Sequence, residues 1–219
     1  MPLDGVRRWY EYELGWPTTG GGGRLRLPAG VRFDVLDLPA EAGFAVLRRV
    51  GRTGPVALDR QLRRVRLLVA AGSAEQLPEL LDWLEWGGVA LDLAVLGPGD
   101  DMLAPVPPAP PARRPARASA QPPRQGHGSR EAAVWLRPPE PGCEVEPTLP
   151  TTALAGGSRT GGAGRAPDLV RLVGTAATEC HRTRLLRAQR IQHARNAQPF
   201  AFSYASRTVA GTRPRSLTS

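Results

Sequence analysis

The stretch VRFDVLDLPAEAGFAVLRRVG (31–51) decides the fold class. VRFDVLDL (31–38) alternates well enough to read as a strand. PAEAGFAVLRRVG (39–51) repeats Phe44, Leu47 and Val50 at helical spacing, with Pro39 suited to a first turn. Glu41 near the positive end of this helix and Arg48 and Arg49 in its last turn suit the dipole. A strand running directly into an amphipathic helix calls for a sheet with a helix laid on it.

The flanking sequence extends the pattern. Upstream, VRRWYEYEL (6–14) reads as a short helix stopped by Gly15 and Pro17, TTGGGG (18–23) as a flexible link, and RLRLPAG (24–30) as a strand joined to the next at Pro28-Ala29-Gly30. Downstream, RRVRLLVAAG (63–72) reads as a buried strand, and Ser73 is placed to cap a helix over 73–86 with Leu77, Leu80, Leu81 and Leu84 on one face. ALDLAVLG (90–97) is a further strand, PGDD (98–101) a turn, and AVWLRPP (133–139) a last strand stopped by Pro138-Pro139. The resulting class is α+β, a small sheet with packed helices.

Composition sets the limits of the ordered part. All 29 basic residues are Arg, against a single Ile and a single Asn, with 25 Gly and 23 Pro, a bias that points to a GC-rich genome. The net charge of +9 is unevenly spread: residues 1–105 carry 12 Arg and 14 acids, 106–142 carry 6 and 2, and 143–219 carry 11 and 4. Pro105 to Arg130 is rich in Pro, Arg, Ala and Gln and is expected to be a disordered insertion, and GGSRTGGAGR (156–165) a flexible linker. The expected organisation is a domain over 1–139, with that insertion at 105–130, a linker over 140–166, a basic amphipathic helix over 167–196 and a flexible basic tail over 197–219. In that helix Leu169, Leu172, Val173, Ala176 and Cys180 make an apolar stripe without an obvious mate in the chain.

Several classes are set aside by the sequence. The acidic start lacks an apolar secretory segment, and no run approaches the roughly 18 apolar residues of a membrane span. Cys143 and Cys180 read as reduced thiols, and a cytoplasmic location is expected without membrane association. His127, His181 and His193 have no partners at metal-ligand spacing, and TTGGGGR lacks the Lys-Ser/Thr of a phosphate-binding loop.

Four segments in order, WYEYELGWP (9–17), RFDVLDLPAEAG (32–43), RVRLLVAAG (64–72) and LDLAVLGPGDDMLAPVPP (91–108), carry a family resemblance, and AVWLRPP fits the strand that follows them. Over roughly residues 8–139 the chain resembles the N-terminal domain of bacterial bifunctional DNA primase/polymerases, of the archaeo-eukaryotic primase superfamily. The resemblance implies a sheet of the RNA-recognition-motif type. It also implies a nucleotidyl-transfer site in which two Asp one residue apart, a His and a further acid hold Mg²⁺ or Mn²⁺ and the incoming nucleotide.

The sequence departs from that pattern at each position. Asp34 and Asp37 are three apart, which on an unbulged strand puts them on opposite faces. If Asp37 is the first acid, the second falls at Pro39. Arg64 and Arg66 stand in the stretch that should hold the His, and Asp92 fits the last acid with Ala94 where an Arg is usual. Asp34, Asp37 and Asp92 are therefore vestigial candidates. Their ordinary readings are an exposed strand position, a cap for the following helix and an outward-facing strand residue.

The chain is expected to be a degenerate, non-catalytic member with an accessory or regulatory role and no cofactor. Its expected partner is DNA or RNA, bound through Arg182, Arg184, Arg187, Arg190 and Arg195 of the helix and Arg213 and Arg215 of the tail. Two alternatives stand beside it: an active nucleotidyltransferase using Mg²⁺ or Mn²⁺ through Asp34, Asp37 and Asp92, and a protein-binding adaptor without a nucleic-acid role.

Overall fold

The computed structural model describes residues 3–20, 23–51, 53–108, 133–142, 144–152 and 168–196. Most of the Pro/Arg-rich insertion, the Gly-rich segment 156–165, the tail with Arg213 and Arg215, His127 and Cys143 lie outside them.

The elements run α1 (Leu3–Arg8) continuing as a π-helical turn (Trp9–Glu13), β1 (Arg26–Pro28), β2 (Asp34–Pro39), α2 (Ala40–Val50), β3 (Val56–Asp59), β4 (Arg64–Val69), α3 (Ser73–Trp83), β5 (Ala94–Leu96), β6 (Asp101–Leu103), β7 (Val134–Arg137), a 3₁₀ turn (Glu146–Thr148) and α4 (Leu169–Asn196). β5, β2, β4, β3 and β7 form an antiparallel five-stranded sheet in that order, and β1 and β6 form a separate antiparallel pair. The fold is α+β.

One face of the large sheet carries α2, α3 and α4. Leu36 and Leu38 of β2, Val65 and Leu67 of β4 and Val56 of β3 meet Ala42 and Val46 of α2, Leu77 and Leu80 of α3, and Leu169, Leu172, Val173, Ala176 and Cys180 of α4. β2 passes into α2 at Pro39 with no intervening loop, and Gly43 permits the close approach. A Cβ there would lie 2.4 Å from Cβ of Val65, a distance only glycine avoids.

The opposite face is half covered. Val35, Ala57 and Leu68 pack against Tyr10, Trp16, Leu25, Leu27, Phe33 and Met102 of the N-terminal segment and the β1/β6 pair. Tyr10 is fully buried, and its hydroxyl is satisfied by donating to Pro105 O (2.7 Å) and accepting from Trp135 Nε1 (3.0 Å). Trp9 meets Tyr10 edge-on at 4.8 Å and Trp16 leans on Phe33 at 4.9 Å. The aromatic WYEYELGW segment thus serves as a lid on the sheet.

The structure departs from the sequence expectations at several points. RLRLP does not pair with the strand that follows it, because β1 is completed by β6, whose first residue, Asp101, was expected in a turn. Thr19 and Arg26 exchange two backbone hydrogen bonds of 2.9 Å, an isolated bridge that ties the two ends of the glycine run together. β3 lies in a stretch, PVALD, too short to show a period. Ser73 caps nothing: the residue before α3 is Gly72 at φ 87°, and the helix start is capped from β2.

The largest departure concerns α4. Instead of standing apart from residues 1–139, its first half is built into the core, with α2 as the principal mate of its apolar stripe. At the other edge of the sheet, Val106 N donates to Ala133 O (2.9 Å) and Val106 bridges Val134, so the two flanks of the insertion are adjacent.

Candidate functional site

β2 has no bulge in its pairing with β4, so its side chains alternate strictly and the two acids part. Asp34 points to the helical side and is fully buried. Its Oδ2 accepts from the backbone N–H of Ala74 (2.8 Å), which gives the first turn of α3 an acceptor at its positive end. It is not the exposed strand residue expected from the sequence; it is a cap delivered from another element.

Asp37 points to the opposite face, where the end of the sheet left uncovered by the aromatics carries a ladder of charges. Asp37 is not a helix cap: its Oδ1 accepts from Arg64 Nε (3.0 Å), and its backbone oxygen accepts from Arg64 Nη2 (2.8 Å). The same guanidinium donates through Nη1 to Asp92 Oδ1. Burial works against the charged form of Arg64, but the bonds to Asp92 and Asp37 together outweigh it and hold its pKa above the ordinary arginine value. Next to it, Arg66 lies buried with Nη1 3.2 Å from Asp59 Oδ2 and Nε 3.9 Å from Asp37 Oδ2. Neither of these is aligned as a hydrogen bond, so charge alone holds Arg66 between the two acids. Asp92 is half exposed and also faces Arg187 of α4 (3.7 Å).

The carboxylates that the family resemblance would assign to metal ions are therefore committed elsewhere. Asp37 and Asp92 share one guanidinium, and Asp34 is on the far side of the sheet. Divalent cations need several converging oxygens, and this donor set supplies fixed positive charge where the cations would be placed. The residues present do not fit the metal pair.

A second charged region lies between α2 and α4, which run antiparallel. The groove between them has a volume of about 430 Å³ and is lined by Arg48 and Arg49 of α2 and Arg182, Arg187 and Arg190 of α4, with Glu41 and Glu179. Two of the arginines are engaged. Arg49 Nε is 2.7 Å from buried Glu179, and Arg187 lies 3.4 Å from Glu41. Arg48, Arg182 and Arg190 have no acidic partner among the described residues.

Of the α4 arginines expected to meet nucleic acid, Arg182, Arg187 and Arg190 gather at this groove. Arg184 turns away to the backbone oxygen of Ala90, and Arg195 is exposed near the helix end. Arg48 and Arg49, whose position in the sequence suggests only complementarity to the α2 dipole, also line this groove. Their i, i+1 placement at the end of an amphipathic helix was the available signal.

From Arg184 onward every described α4 side chain is exposed, including Leu185, Leu186 and Ile191. Cys180, in the last fully docked turn, is buried with its thiol 3.6 Å from Asp92 O, and burial, reinforced by Asp92, pushes its pKa up to about 12. No described helix is long and apolar enough to cross a membrane. No family model, curated protein or solved structure matches the chain.

Proposed function

We propose that the chain is a non-catalytic, primase/polymerase-like protein that binds nucleic acid through α4 and the adjoining groove, in an accessory or regulatory role. One feature supports the fold part of this reading and another its non-catalytic part. The run β2-α2-β3-β4-α3-β5 with strand order β5-β2-β4-β3 is that of an RNA-recognition-motif sheet, with β7 added at one edge. The arginine ladder of Arg64 and Arg66 among Asp37, Asp59 and Asp92 supports the absence of nucleotidyl transfer, since metal-assisted displacement depends on cations held by free carboxylates.

The binding part rests on a single observation. Residues 181–196 carry five Arg and no acid, and from Arg184 onward they are exposed beside a body whose sheet faces are occupied by helices, aromatics and internal ion pairs. A phosphate backbone is the complementary partner, and its affinity falls steeply with salt.

Deleting residues 166–219 would be a poor test, because it removes Leu169, Leu172 and Val173 from the core. The clean test compares the full chain with the Arg182→Glu/Arg190→Glu variant by fluorescence anisotropy across a salt series. The expected result is nucleic-acid binding that weakens with salt, with the slope of log Kd against log salt reduced by about 1 per lost phosphate contact. Unchanged binding in the variant overturns the assignment. Primer extension with Mn²⁺ is expected to yield no product, and product lost in Asp92→Ala would restore the catalytic alternative.

The adaptor reading has one observation in its favour, the exposed Leu185, Leu186 and Ile191 on the same projecting half. It becomes the better one if no nucleic acid binds at low salt.

A further inference from the structure

We infer that the projecting half of α4 takes double-stranded DNA and enters its major groove; this rests on the nucleic-acid reading above and specifies the form of the ligand. The argument begins with geometry. Beyond Arg187, which still touches Glu41 and Asp92, no described α4 side chain makes a hydrogen bond or ion pair to another element, and residues 188–195 are all exposed, with Arg190 at the rim of the α2/α4 groove. A helix with its side chains is about 10–12 Å across, and the B-form major groove is about 12 Å wide.

The order of residues around the helix supplies the second step. At about 100° per residue, Gln189 and Gln192 share one face, with Arg195 about 90° from its centre on one side and Arg190 about 130° from it on the other, toward the α2 groove. Amides at the front suit the edges of bases, which present paired donors and acceptors on the groove floor. Guanidinium groups on both flanks suit the phosphates of the two walls.

The same surface discriminates against the other nucleic-acid forms. Single-strand binding relies on aromatic side chains as stacking platforms, and residues 182–196 contain no Phe, Tyr or Trp. The sheet face that carries such platforms in related architectures is occupied here by Tyr10, Trp16 and Phe33. A-form RNA has a deep, narrow major groove that excludes a helix.

The test uses the full chain with one sequence prepared as duplex DNA, single-stranded DNA and duplex RNA, read by anisotropy at about 100 mM salt. Duplex DNA is expected to bind at least about tenfold more tightly than the other two, since only its major groove admits the helix. Methylating guanine N7, which projects into that groove, is expected to weaken binding about fivefold or more. Gln189→Ala/Gln192→Ala should leave the salt slope unchanged while flattening the dependence on base sequence, whereas Arg190→Ala and Arg195→Ala weaken all duplexes alike.

Equal affinity for single strands or duplex RNA, with the arginine variants still weakening it, overturns the inference and leaves the nucleic-acid reading standing. So does displacement by a minor-groove ligand together with indifference to N7 methylation. Absence of binding to any nucleic acid at about 50 mM salt ends both.

Discussion

The two halves of α4 are one continuous helix with opposite fates. In the first half the stripe Leu169, Leu172, Val173, Ala176 and Cys180 is buried against α2, α3 and the sheet. Continued turn by turn, the same stripe passes through Arg184 and Arg187, and from there the helix is exposed. Helix direction has not changed; only the side chains have. Burying arginine without a dedicated acid is costly, so the body ends where the apolar stripe ends and the basic half is left in water. The backbone hydrogen bonds of the docked half hold the projecting half at a fixed angle, which a flexible tail of the same composition could not achieve.

The contrast can be broken or sharpened by experiment. Leu172→Ala opens a cavity in the docked half and should cost about 3 kcal/mol, lowering Tm by roughly 10 °C in a thermal melt. A much smaller loss would mean that α4 is only loosely attached. Arg64→Ala strands Asp37 and Asp92 below the point where the helix leaves the body, and should cost about 1–3 kcal/mol in urea unfolding. An unchanged midpoint would show the ladder to be solvated and energetically idle.

Cys180 marks the boundary itself. Its native pKa of about 12 lies above its unfolded value of 9.0, so the native state keeps a proton that the unfolded chain gives up. The associated stability is complete below pH 9 and drains away as pH rises from 9 to 12. In a Cys143→Ser background, Tm should therefore fall with pH over that window more steeply than in the same protein carrying Cys180→Ala. Parallel curves would place the thiol in contact with water. The smallest effect belongs to the projecting half, where Ile191→Ala should change stability by less than about 0.5 kcal/mol in the same melt. A loss comparable to that of Leu172→Ala would reveal that the exposed turns are docked after all.

Periodicity made much of this legible in advance, and the remainder has physical causes. The α2, α3 and α4 helices follow from apolar spacing, because a stripe at 3.6 residues reports that a face is buried. It does not report against what, which is why α4 was expected outside the domain. Strand parity separated Asp34 from Asp37 correctly, yet local rules gave both the wrong duty. Asp34 caps a helix 40 positions away, and Ser73, the residue that local spacing nominates, sits beside it without capping. Short strands such as Val56–Asp59 and Asp101–Leu103 are set by their partners and not by their own propensity. At the charged end of the sheet the substitution of Arg64 and Arg66 for the expected histidine was visible, but that one guanidinium would join Asp37 to Asp92 required the β2/β4 register and a chain that enters β5 only at Ala94, which leaves Asp92 in a bend instead of on the expected strand.

The bridge between Val106 and Val134 has a consequence for how this chain can change. Since the backbone is already closed between Val106 and Val134, the sheet is insensitive to how many residues separate these two positions, and doubling the length of a flexible connection costs only about 0.6 kcal/mol in closure entropy. The edge of β7 is thus a natural port for gain or loss of sequence. Descendants of this chain could differ widely in that stretch, and a protein engineer could graft a foreign module there, with the sheet unaltered beneath.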